Sequence, residues 1–476
     1  MGHPRLRHAL AAGTSVLALV AGMASDAHAQ VAAQHITAAS PPSADLSLGS
    51  ALTDIIQIAQ ASEVAQVGGI GGTGGSISIE QPPVATGRED VFQKPGRAED
   101  ALVLGDWLLY PSAFAGVMYD TNVNQSSGGF ASGGLRVSPS LLAQQDSGLF
   151  KTTLYGSADG RFYLRNVPGD GQVISARAGA TETYTPLPDV IINGQADFTR
   201  QQDLFATLGT EQTVAPLNPT GVGLSPTANP TSYNQLSGAA SIQKNFARTF
   251  LSVGGSVVDI EYDNNTSTVA PSPNGTTYTG VARGGFWITP ALYGYVEGTL
   301  DSRDYATNSL GSSGYRIAGG VGTDQIGLMK GEVYVGYQAE DYNSATIGTV
   351  GGTVYGVRGH YFPLPELTLN LSVDESLGAT LLTAGGNATK VDTYLTTADY
   401  SISPQWRASG RGGYIHTDYV GNARRDEAWT VGGTVTYDLM RNVGLTLDYQ
   451  HLQLSSNAVG QGFSRDVITL GATYKY

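Results

Sequence analysis

Between Trp107 and the C-terminus the chain repeats one pattern: about a dozen residues of alternating apolar and polar character, then a turn. Successive side chains of a strand point to opposite faces, so a two-residue period specifies strands with one apolar and one polar side. The final stretch, TLGATYKY, sets Leu470, Ala472, Tyr474 and Tyr476 against Thr469, Gly471, Thr473 and Lys475. In LFKTTLYGSADGRFYL the face Phe150, Thr152, Leu154, Gly156, Ala158, Gly160, Phe162, Leu164 opposes Lys151, Thr153, Tyr155, Ser157, Asp159, Arg161, Tyr163. ALYGYVEGTLDSRDY, PELTLNLSVDES and NVGLTLDYQ repeat the arrangement. Sandwich strands run mostly to five or six residues, whereas these are twice that, the length a tilted strand needs to cross a bilayer.

The spacing predicts eighteen strands, beginning near Trp107, Gly134, Leu149, Gln172, Asp189, Ser232, Thr249, Thr276 and Ala291. The remainder begin near Gly314, Met329, Gly352, Glu366, Lys390, Gln405, Asp426, Asn442 and Arg465. Alternate connectors are short (QQDSG, PLPD, NFAR, TPA, QIGL, FPLP, ISP, LMR), and the others run from NVPGDG to the long segment Gln201 to Pro230. An even strand number with short and long links sorted by parity is the pattern of an all-β, antiparallel, up-and-down transmembrane barrel. Lipid then covers the apolar face, and the last strand must close on the first so that no backbone edge is left bare in hydrocarbon. Tyr474 and Tyr476 fall in the aromatic girdle of the periplasmic side, and in outer-membrane barrels such an aromatic last strand resembles the signal read by the barrel-assembly machinery.

Only 14% of the residues are charged, too few for an ordinary soluble surface, while 63 Gly and 25 Tyr suit tight turns and water–lipid boundaries. The net charge of −14 speaks against nucleic acid. At the N-terminus, Arg5 and Arg7 precede an apolar stretch and Ala27-His28-Ala29, which predicts a signal peptide over residues 1–29 cleaved after Ala29 and delivery to the outer membrane. Residues 30–104, rich in Gly, Pro and scattered charge, are expected to be a flexible periplasmic segment, with the barrel at 105–476. Gly69, Gly71 and Gly74 satisfy G-x-G-x-x-G but lack a surrounding βαβ unit, so no dinucleotide is implied and no cofactor is expected.

If the polar face of each strand looks inward, the candidate pore lining is Arg136, Lys151, Asp159, Arg161, Arg177, Glu297, Asp301, Arg303, Glu332, Glu340, Asp374, Arg407, Arg411 and Asp448. Tyr155, Tyr163, Tyr293, Tyr295 and Tyr334 are interleaved. Both signs are present, so strong ion selectivity is not indicated, and rings beside hydrogen-bonding groups suit sugars. The plainer alternative is that the charges pair across the wall. His35, His360, His416 and His451 remain after signal removal and none sits in a nucleophile motif, so no enzyme is expected; no catalytic residue and no metal-ligand spacing stands out. The segment Gln201 to Pro230 could constrict the lumen, bind at the surface or stay disordered.

WLLYPSAFAGVMYDTNVNQ followed by LRVSPSLLAQQDSGLFKTTLYGSADGRFY is similar to the β-barrel porin type 2 family of bacterial outer-membrane proteins. Tyr119, Asp120, Asn122 and Val123 match that family's Y-D-x-N-V turn after the first strand, and Pro139 its mid-strand proline. The resemblance covers Trp107 to Tyr476. It implies a channel associated with exopolysaccharide export and periplasmic export components as partners, with a general diffusion porin and a surface-binding barrel as alternatives. The residues themselves favour a structural role for the Asp120–Asn122 turn, since Asp and Asn cap their own turns.

Overall fold

The computed structural model describes residues 101–123, 127–165, 172–203, 231–262, 274–306, 311–343, 347–380, 387–421, 423–457 and 462–476. The signal peptide, nearly all of the periplasmic segment and most of the Gln201–Pro230 connector lie outside these residues. Among the described residues nineteen strands form one sheet. They are β1 (Leu102–Leu104), β2 (Trp107–Asp120), β3 (Ser132–Asp146), β4 (Phe150–Tyr163), β5 (Gln172–Leu187), β6 (Val190–Asp203) and β7 (Thr231–Asn245). Next come β8 (Thr249–Tyr262), β9 (Gly275–Trp287), β10 (Leu292–Tyr305), β11 (Ser312–Ile326), β12 (Met329–Tyr342) and β13 (Thr349–Leu364). The last are β14 (Leu367–Thr380), β15 (Asn387–Ser401), β16 (Trp406–Tyr419), β17 (Arg425–Met440), β18 (Val443–Ser456) and β19 (Phe463–Lys475).

Strands β2 to β19 pair antiparallel in chain order, and β19 returns to pair with β2, closing an eighteen-stranded barrel. Each begins within three residues of its predicted start. The apolar and polar faces separate as the alternation requires. Along β10, Tyr293, Tyr295, Glu297, Thr299, Asp301 and Arg303 are covered, whereas Val296 and Leu300 are 61% and 68% exposed. The exposed face carries two rings of aromatics. Toward the long connections stand Tyr119, Phe162, Phe198, Tyr278, Tyr315, Tyr337, Tyr414 and Trp429; toward the short turns stand Phe246, Phe286, Tyr361, Tyr400, Trp406, Tyr474 and Tyr476. Aliphatic residues such as Val253, Val296, Ile317, Val335 and Leu470 fill the band between. Tyr278 and Phe286 lie eight residues apart on β9, about 26 Å of strand at roughly 3.3 Å per residue, or about 20 Å of height at a tilt near 40°. That leaves the rings on either side of a band a little shorter than the roughly 25 Å apolar belt of outer-membrane barrels.

The strand β1 was not expected, because it falls where the extension was read as unstructured. It folds back through Gly105 (φ 62°) and pairs Leu102–Leu104 with Leu109–Trp107. The reason is geometric. Strand β19 pairs only as far as Lys475↔Ser112, with a last bond from the Tyr476 N–H to the Pro111 carbonyl (3.3 Å), so the first residues of β2 would present a bare edge that β1 covers.

The closing joint is clamped at its other end by the motif singled out above. Asp120 is fully buried and accepts from Arg465 Nη2 (2.7 Å) and Nε (3.1 Å) across the β19–β2 joint, from Tyr163 Oη (3.0 Å), and from its neighbour's N–H at Asn122 (3.0 Å). The last bond is the self-capping turn expected of this sequence. Asn122 Nδ2 then donates to the Ser464 carbonyl (2.9 Å), and Val123 is fully buried. What the sequence did not show is Arg465, 345 residues away.

Interior rings lie flat against the wall over glycines of the next strand. A Cβ at Gly320 would stand 2.7 Å from the Tyr295 ring and 2.6 Å from the Val333 carbonyl, and a Cβ at Gly322 would stand 2.3 Å from Tyr293. Gly320→Val is therefore expected to lower stability by about 1–3 kcal/mol through overpacking. Gly298→Val, with nothing within 4 Å of its Cβ, serves as the tolerated control. Urea midpoints of the two refolded variants check this, and equal midpoints would refute it.

Candidate functional site

The interior polar face is built by the strand period alone, and the barrel brings distant positions of that face into contact. Every candidate named from sequence lies on it. Arg136 and Arg161 are direct register partners on β3 and β4, a like-charged pair that would repel. Asp159 resolves the conflict by accepting from Arg136 Nε (2.6 Å) and Arg161 Nε (3.0 Å), with Ser138 donating to it as well. Arg177 Nε and Tyr155 Oη both donate to Asp197 at 2.7 Å. Lys151 stands apart: it is exposed at the short-turn end, 3.5 Å from Asp146.

The densest part spans β9 to β14. Arg283 bridges two carboxylates, with Nη2 2.6 Å from Glu297 and Nη1 3.1 Å from Glu332, and its guanidinium lies 4.2 Å over the Tyr295 ring. Arg316 reaches Glu297 (3.1 Å) from the next strand, and Arg358 reaches Glu332 (3.1 Å). Tyr334 Oη donates to Asp374. Below this band Phe250, Trp287, Tyr293 and Tyr295 form a contiguous aromatic cluster, with Tyr293 edge-on to Phe250 (5.8 Å) and to Trp287 (5.0 Å). Above it Arg303 pairs with Asp301 (3.3 Å) and Glu340 (3.4 Å). On the far side Arg407 pairs with Asp438 (3.0 Å) and Arg411 with Asp448 (2.9 Å), whose carboxylate also accepts from Thr434.

The interior charges are thus held in pairs and short chains, the plainer of the two readings weighed from sequence. Among the described residues this leaves a wall that presents both signs, donors and acceptors. Sequence reasoning missed Asp197, Arg283, Arg316, Arg358 and Asp438. All five obey the same two-residue period and were legible by it. In GVARGGFW, however, Arg283 shares its side with Val281, Gly285 and Trp287 while Gly280, Ala282 and Gly284 lie on the other, which blurs the alternation. His416, 3.3 Å from Asp418, and His451, 2.8 Å from Asp466 and 4.6 Å from the Trp429 ring, sit on the outward face instead. Among the described residues no group of three His, Cys, Asp or Glu is placed to hold a metal ion.

Three solved structures similar to this chain are distant from it. An anion-selective porin from Comamonas acidovorans has 14% identity and a TM-score of 0.34, covering 78% of this chain and 99% of that one. OccK1 (OpdK) of Pseudomonas aeruginosa has 9% identity and a TM-score of 0.41, covering 78% and 100%. OccAB4 of Acinetobacter baumannii has 13% identity and a TM-score of 0.38, covering 78% and 98%. Likenesses this remote assign no substrate. No curated protein matches the chain. The family profile described as "Putative beta-barrel porin 2" matches residues 101–476, the whole of the barrel, and the chain belongs to that family of outer-membrane β-barrel porins.

Proposed function

We propose that the protein is a passive outer-membrane channel for a hydrophilic solute, lined by the inward side chains named above, with secreted exopolysaccharide as the leading cargo. The observation that carries the channel reading is the internally paired charged and polar network on the inward face of an eighteen-stranded barrel, since barrels of sixteen to eighteen strands leave an aqueous lumen. Balanced charge with aromatic clusters beside hydrogen-bonding groups favours a sugar over a small ion. Passive passage calls for neither cofactor nor enzymatic step. Residues 1–29 act as a cleaved signal. The segment that precedes β1 serves as a periplasmic extension contacted by export components, and the aromatic last strand engages the assembly machinery. A general diffusion porin is the second reading, favoured by the absence of one dominant charge sign.

Single-channel conductance in a planar bilayer tests this, comparing the mature chain with one lacking residues 30–100 and with one lacking 204–230, each with added oligosaccharide. Block by oligosaccharide, or opening on truncation, is the expected outcome for an export pore. Large steady conductance that sugar leaves unchanged would replace it with the general porin, and silence in all three proteins would sink the channel reading.

A further inference from the structure

One joint of the barrel is incomplete. Strand β12 pairs with β13 down to Thr349, and β14 pairs with β15 up to Thr380, yet between β13 and β14 the ladder ends at Gly356↔Asp374. Over Thr349–Tyr355 and Glu375–Thr380 the two strands no longer pair with each other. The wall laps here. The Leu377 N–H donates to Oε1 of Gln338 (3.4 Å), a side chain on the interior face of β12, two strands away, so β14 passes behind β13. Accordingly Glu375 and Leu377, on the outward side of β14, are buried, whereas Leu371 lower on that side is 47% exposed; Val354, turned inward from β13, is buried too. On the outside the hydroxyls of Tyr355 and Tyr394 approach to 3.3 Å at the foot of the break, and Lys390 reaches Glu375 (2.9 Å) above it.

The position of the break has a physical reason. An unpaired strand edge costs several kcal/mol per group in hydrocarbon. This one begins at Tyr355, level with the aromatic ring of Tyr337, Tyr414 and Trp429 that ends the apolar band, so it opens beside lipid headgroups. Inside, next to it, an apolar stripe crosses the wall between the inward threonines Thr389, Thr393, Thr417 and Thr430. Val391, the register partner of Ser376 in the broken stretch, begins a buried cluster with Ile415, Ala428, Leu452, Leu454 and Phe463 along β15 to β19.

From the lapped joint and the apolar interior beside it, we propose that the outer half of β13–β14 is a lateral gate, admitting the hydrocarbon chain of an amphiphile between the outer leaflet and the lumen. This goes beyond axial passage and does not depend on it. Two strands that lap rather than pair can part by sliding, at the cost of the Gln338–Leu377 bond, the Tyr355–Tyr394 contact and the cover over Leu377 and Val354 rather than of a ladder.

The chain has no cysteine, which permits a direct test. A small fluorophore on Val391→Cys is placed in bilayers containing a two-chain nitroxide phospholipid, which cannot arrive through water. Quenching at this interior site is expected, with at least a twofold increase in Gln338→Ala. In a second protein the fluorophore is attached to Val391→Cys first; the joint, carrying Gln338→Cys and Ser376→Cys freed afterwards from protection, is then closed with a short bis-maleimide, each thiol adding across one maleimide double bond, and quenching should fall at least fivefold. A Leu452→Cys reporter repeats the measurement should Val391→Cys refold poorly. An interior reporter that stays bright in the open proteins, or one quenched equally with the joint tied, overturns the proposal. Axial conductance of the tied protein, expected unchanged, separates this outcome from failure of the channel itself.

Discussion

Asp120→Ala is expected to loosen the barrel at its closing joint, lowering stability by about 3–5 kcal/mol, because it strands the buried Arg465 guanidinium without its carboxylate. The β19–β2 joint is the one whose strands do not follow each other in the chain, so its register rests on the ladder, on this clamp and on the neighbouring bonds of Thr121 to Asp466 and of Asn122 to the Ser464 carbonyl. Arg465→Ala should cost a similar amount. The double replacement Asp120→Leu/Arg465→Met should recover most of it, since a buried pair exchanged for apolar groups of similar size is often neutral. Urea-dependent loss of the heat-modifiable band on a gel reads all three. Single variants as stable as the parent would show that the clamp is ornamental, and a double variant no better than the singles would assign the loss to Tyr163 and Asn122 instead.

Arg283→Ala should have the second largest effect, because one guanidinium serves two carboxylates. Glu297 keeps Arg316 and Glu332 keeps Arg358, so the stability loss falls at the lower end for a broken buried pair, about 3 kcal/mol. The interior also loses one positive charge at its densest point, and the reversal potential in a salt gradient should move toward cation preference. Arg283→Lys keeps the charge but not the two-pronged geometry, so it should retain selectivity while losing part of the stability. A reversal potential unmoved by Arg283→Ala would place the solute path away from this wall.

Much of this was legible in the sequence because a membrane barrel obeys a simple rule. Side-chain direction follows residue parity, lipid demands the apolar set and the lumen accepts the other, so strand starts and the facing of Arg136, Glu297 or Asp448 could be read without a structure. The partners could not. Arg283 meets Glu332 from three strands away, and that encounter depends on register and tilt, which parity does not contain.

The two ends of the closing joint show the same division. Asp120 and Asn122 announce a capped turn by their chemistry alone, and the bond between them is local. That the same carboxylate clamps Arg465, and that Leu102–Leu104 returns to cover the edge β19 leaves bare, follows only once the sheet has curled through eighteen strands and met itself. The sequence by itself determined the strands, their faces and the solvent on each side, because these are properties of a two-residue period in a bilayer. Only the tertiary structure decided which charges neutralise one another and that β13 and β14 part above the apolar band, because long-range register and the fit of neighbouring strands are collective properties of the closed wall.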